Sequence, residues 1–184
     1  MSILKVARIG NPALRARARP VEPSEIRRPG FQKLVDDMIE TMNEYRGIGL
    51  AAPQVHESVR LIIVGIQHDD DDDEDESSLE IVSLINPEIT ALGSELVEGW
   101  EGCLSIPEMR GRVPRAAGIR LQALDRRGRR IDRTLEGFPA RAVQHEADHL
   151  DGVLFVDRMR SFDTLTYLDE YARFWARTDE EPRP

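Results

Sequence analysis

Between positions 31 and 45 the apolar residues Phe31, Leu34, Val35, Met38, Ile39, Met42 and Tyr45 recur in steps of three and four. That spacing predicts a helix laying one apolar stripe on a core, and Gly47 is placed to end it. Upstream, Asn11-Pro12 reads as a cap and first turn, predicting a short helix over 12–15. Pro20, Pro23 and Pro29 predict an extended, irregular stretch over 19–30. Downstream the pattern shortens to strands: 60–66 (RLIIVGI), 80–85 with Asn86-Pro87 as its stop, 95–100, 119–124 and 130–135, the last two joined through Gly128. A second helix is predicted over 138–150, closed by Asp151-Gly152. A short strand over 153–156 follows, and then an amphipathic helix over 161–177, whose stripe of Phe162, Leu165, Leu168 or Tyr171, and Trp175 reads as packing. Strands mostly precede the 138–150 helix instead of alternating with helices. The class is therefore α+β, with mostly antiparallel sheets packed around that central helix, an N-terminal amphipathic helix and a C-terminal helix.

Length and charge narrow this further. The 184 residues suit one domain, expected over 1–178, with a disordered tail over 179–184. The run Asp69 to Glu76 (DDDDDEDE) carries eight of the nine excess negative charges. Consecutive carboxylates repel one another and cannot fold inward, so 68–78 is expected to be a solvated insertion at the tip of a hairpin. Such a surface disfavours nucleic acid as a direct ligand. No apolar run approaches a membrane span and the first residues lack the shape of a signal peptide, which predicts a soluble cytoplasmic protein. The one cysteine, Cys103, allows no internal disulfide.

The chemistry concentrates in Gln144-His145-Glu146-Ala147-Asp148-His149. Histidines four apart on a helix sit about 40° apart around the axis and about 6 Å along it, so both rings can reach one metal ion. Glu146 is then placed to manage the protons of a water on that ion. Ala142, Val143, Ala147 and Leu150 make the helix apolar and buried, where unpaired imidazoles are costly and a metal relieves them. Two other segments have more small or polar residues than structure alone requires. Residues 47–54 (GIGLAAPQ) permit close backbone approach and offer the Gln54 amide, and a plain turn would look similar. Residues 101–107 (EGCLSIP) offer Cys103, a natural thiolate third ligand, after a glycine. Three protein ligands leave one position open for water or substrate.

GIGLAAPQ, EGCLSIP and QHEADHLDG, in this order, resemble the three signature motifs of the bacterial peptide deformylases, over about residues 8 to 156. The resemblance implies a hydrolase that removes the formyl group from the N-terminal formyl-methionine of new proteins, with nascent formyl-methionyl peptides as its partners. It implies one divalent metal, natively ferrous iron with zinc or nickel as substitutes, held by Cys103, His145 and His149. Glu146 becomes the acid/base residue, and Gln54 with the Leu104 backbone N–H the oxyanion donors. Ile48, Gly49, Gly102 and Arg110 become substrate-binding residues, and Glu101 with Arg115 a supporting ion pair. The acidic run is outside the motifs. The 161–177 segment balances Arg173 and Arg177 against Asp163, Asp169 and Glu170, which argues against ribosome docking through a basic helix; a monomer is expected. Two other readings stand beside this one. A zincin-type peptidase would take its third ligand downstream, from Asp157 or Glu170, and a non-catalytic metal or peptide-binding module would not need Glu146 or Gln54.

Overall fold

The computed structural model describes residues 2–67 and 79–176; the acidic run Asp69 to Glu76 and the 179–184 tail lie outside the described residues. A five-stranded antiparallel sheet, in the order β1-β2-β3-β6-β7, is built from β1 (Gly49–Ala51), β2 (Leu61–Gln67), β3 (Leu79–Ala91), β6 (Gly118–Leu124) and β7 (Arg130–Glu136). It is covered on both faces. Along β2, Ile62 and Val64 meet Ala140, Val143 and Leu150 of helix α3 (Gly137–Leu150). The alternate residues Leu61 and Ile63 meet Val35, Met38 and Met42 of helix α2 (Pro29–Glu44). A continuous apolar run is what a strand buried on two faces requires. A three-stranded sheet, β4 (Leu96–Cys103), β5 (Ile106–Ala116) and β8 (Thr166–Tyr167), stands beside it over a third core containing Leu14, Ile106, Val113 and Phe155. Among the described residues no helix is long and apolar enough to cross a membrane.

The short helix Pro12–Arg15 forms as a 3-10 turn whose N-cap Asn11 accepts the Ala13 N–H at 3.0 Å. Helix α2 ends one residue differently from expectation. Arg46 takes the left-handed position (φ 52°), and Gly47 donates to Met42 O at 2.8 Å. This is a Schellman closure with the glycine one place late.

Six other expectations need correction. Residues 19–30 are not irregular, because Pro23 and Pro29 each open a helix, α1 (Pro23–Ile26) and α2, where a missing N–H costs nothing. Asn86-Pro87 does not stop its strand. Asn86 adopts φ 51° at a register shift and pins the bulge by bonding both the N–H and the carbonyl of Val21, at 2.8 and 2.9 Å. The 95–100 strand runs on to Cys103. Strand β5 is absent from the sequence reading because its inward positions include Gly111 and Arg115 beside Val113, so its period of two is hidden from hydrophobicity. Residues 153–156 are not a strand; helix α4 (Phe155–Arg158) starts there, with Asp157 accepting the Leu154 N–H at 2.7 Å. The 161–177 helix is shorter. Thr164 accepts the Arg112 N–H at 3.1 Å, residues 166–167 pair with β5, and helix α5 spans Leu168–Phe174; residue 177 lies outside the described residues.

Candidate metal centre and active cleft

Packing on the five-stranded sheet turns one side of α3 inward, so His145, Glu146 and His149 are all buried. Strand β4 approaches from the other sheet, and its ladder slips after Gly102↔Arg110 to Cys103↔Ile106, which leaves the thiol at the kink. The Cys103 sulfur and the ligand nitrogens of His145 and His149 lie within 4.8 Å of one another, and Cys103 Sγ is 3.3 Å from His149 Nε2.

The histidines are held by unequal means. His145 Nδ1 donates to Glu101 Oε2 at 2.9 Å, which fixes the ring so that Nε2 faces the sulfur. Glu101 also receives Arg115 Nε and Nη2 at 2.9 and 3.0 Å and Arg141 Nη1 at 2.8 Å. Burial raises the Glu101 pKa, but the His145 and Arg115 hydrogen bonds outweigh it and hold the group at about 2. Burial opposes a charged His145, yet Cys103 and Glu101 raise its pKa well above the ordinary value. Burial and the neighbouring cations His145 and Arg115 push His149 well below it. Burial pushes Glu146 up to about 7 against the pull of His145.

A divalent ion fits this donor set. One sulfur and two imidazoles converge, the surroundings of His145 favour positive charge, and the buried Glu146 Oε2 has no hydrogen-bond partner. Soft and borderline donors of this kind suit ferrous iron or zinc.

Gln54 sits in a 3-10 turn (Ala52–Val55) directly after β1. Its Oε1 accepts the Ala51 N–H at 2.7 Å, so its Nε2 points at Ser105 Oγ (3.1 Å) and Cys103 Sγ (3.5 Å). The N-terminal segment straps this floor down, with Ala7 N–H on Gln54 O at 2.7 Å and Ile9 N–H on Ser105 O at 2.8 Å. Gly49 lies against the carboxylate; a Cβ there would stand 2.3 Å from Glu146 Oε1. Cys103, His145, Glu146, Gln54 and Leu104 open into one cleft of about 910 Å³, and Ile48, Gly49, Gly102, Glu101 and Arg110 share its wall. His149 and Arg115 do not line this cleft.

Three residues of the framework were not singled out from the sequence. Arg141 binds Glu101 and the carbonyls of Val97 and Val113, at 2.6 and 2.8 Å for the latter two. One helical turn before His145, it shares that face, and this spacing was the available signal. Asp148 receives Arg115 and Arg158, and Ser105 is the buried neighbour of the thiol. The downstream carboxylates of the zincin reading stay apart from the cluster: Asp157 is engaged by Arg15 and the Leu154 N–H.

Comparison with known proteins gives one consistent likeness. The polypeptide deformylase family profile matches residues 3–164. Peptide deformylase 2 of Nostoc sp. is 44% identical over 165 residues, covering 89% of this chain and 90% of that protein. A peptide deformylase of Leptospira biflexa serovar Patoc is 42% identical over 170 residues, covering 92% and 95%. The Met-Ala-Ser-bound crystal structure of class I type b peptide deformylase from Acinetobacter baumannii aligns with a TM-score of 0.77 at 40% identity, covering 86% of this chain and 100% of that one.

Proposed function

The chain belongs to the polypeptide deformylase family, and from that premise we propose that it hydrolyses the terminal formamide of formyl-methionyl peptides, releasing formate and a free amino terminus. The observation that carries this reading is the convergence of Cys103 with the histidine pair of helix α3, within 4.8 Å. Cys103, His145 and His149 would hold the ion, with ferrous iron as the proposed native metal. When bound, the ion supplies Lewis acidity that polarises the formyl oxygen and lowers the pKa of water.

The chain's own groups do the rest. Gln54 Nε2 and the Leu104 backbone N–H donate to the oxygen on which negative charge develops, and one such donor is worth about 2.7–4 kcal/mol of barrier. Gln54 is suited to this because its carbonyl end is already engaged by Ala51. Glu146 takes the proton of the attacking water and delivers it to the departing amine. Strand β1 is the edge of its sheet, so Gly49 and Ile48 can receive the substrate backbone as an added strand, with Gly102 and Arg110 on the facing wall. The formyl carbon carries only hydrogen, and the small residues of 47–54 close the cavity against larger acyl groups.

Formate release from formyl-Met-Ala-Ser, measured beside metal content on one anaerobic sample, tests the reading. Turnover is expected to scale with bound metal, vanish on chelation and return with iron, nickel or cobalt; a metal-loaded protein that releases no formate overturns it. Gly49→Ala is expected to lower kcat/KM by about ten- to a hundredfold, or ~1.4–2.7 kcal/mol, because the new methyl must displace the Glu146 side chain. Unchanged turnover in that variant would show that Glu146 need not hold its place.

A further inference from the structure

The family profile ends at residue 164, yet the segment beyond it is built into the cleft. Thr166 pairs with Arg110, which in turn pairs with Gly102, so one row of the three-stranded sheet leads from the residue before Cys103 to β8. Tyr171 of α5 sets its ring edge-on to Trp100 at 4.8 Å, and Trp175 does the same at 5.5 Å. Arg110 Cζ stands over the Tyr171 ring, 4.6 Å from its centroid. Helix α5 buries none of its own residues, so these ring contacts on β4 and β5 are what seat it. Seated in this way, it places Leu168 on the cleft wall, where the side chain remains 44% exposed. Phe138, at the start of α3, lines the same cleft and is 51% exposed.

Exposed large apolar side chains facing a groove ask for an apolar partner. Strands lie ~4.8 Å apart, so Thr166 is ~10 Å across the row from Gly102, and an extended peptide advances ~3.4 Å per residue. A peptide running from the ion towards this wall reaches Leu168 two to three residues beyond its reacting end. We propose that Leu168, positioned by Tyr171, is a specificity-determining residue that contacts the third residue of the substrate, counting methionine as the first, and selects an apolar side chain there. This rests on the deformylase reading above.

The test compares kcat/KM for formyl-Met-Ala-Leu amide and formyl-Met-Ala-Ser amide in the full chain. The parent protein is expected to prefer the leucine peptide by roughly fivefold or more, the scale of one apolar contact in a hydrophobic pocket. Leu168→Ser should bring that ratio to about one. Tyr171→Leu should reduce the ratio as well, whereas Tyr171→Phe, which keeps the ring, should preserve it. A parent ratio of about one overturns the proposal. So does a Leu168→Ser variant that slows both peptides equally, the signature of a merely structural role. Release of no formate from either peptide by the metal-loaded parent would instead reject the underlying reading and the proposal with it.

Discussion

Glu146→Ala should retain its metal and release formate from formyl-Met-Ala about a thousandfold more slowly than the parent, within the range a positioned acid/base group contributes. The expectation follows from what the carboxylate does and does not touch. It is buried against Gly49, its Oε2 has no partner, and it belongs to none of the ion pairs that hold the histidines. Removing it therefore leaves Cys103, His145 and His149 supported by Glu101, Arg115 and Arg141 as before. Metal analysis beside turnover checks both halves. Full activity would remove Glu146 from the proton transfers, and loss of metal together with activity would make it a ligand.

Cys103→Ser should lose its metal. A serine hydroxyl at neutral pH stays protonated and is a poor donor, whereas a coordinated thiol gives up its proton. The Ser105 N–H donates to the sulfur at 3.4 Å and holds the side chain at the kink. The expected fall in affinity exceeds about a hundredfold, the upper end of what losing an outer partner costs, and formate release should fall in step. Dialysis against a chelator followed by metal analysis reads this directly. A zincin arrangement would behave differently, since its three ligands would survive the substitution and the ion would stay.

Local patterns were legible where one physical demand dominated. The α2 stripe, the two-faced β2 run and the α3 helix each carry a period that burial enforces. Where a second demand intervened, the pattern failed. β5 places Gly111 inward so that Met159 can approach, its sulfur 2.6 Å from where a Cβ would be, and places Arg115 inward to serve Glu101. Both choices erase the hydrophobic alternation that would have announced a strand. Asn86 and Asp157 act through side-chain bonds to backbone at Val21 and Leu154, and the first of these is a long-range contact with no local trace. The convergence of Cys103, His145 and His149 could be anticipated because the motifs are short and rich in chemistry. Arg141 and Ser105 could not be ranked in the same way, since an arginine on a helix face or a serine beside a cysteine is ordinary until its partners are known.

The three donors do not share one structural layer. Helix α3 rides on the five-stranded sheet, while Cys103 ends a strand of the three-stranded one. An ion gripped from both would act as a crossbrace, adding its own bonds to those that Glu101, Arg115 and Arg141 already make between α3 and the three-stranded sheet. Cohesion between the layers and saturation with metal then become linked quantities, because a ligand that binds the folded form alone must also stabilise it.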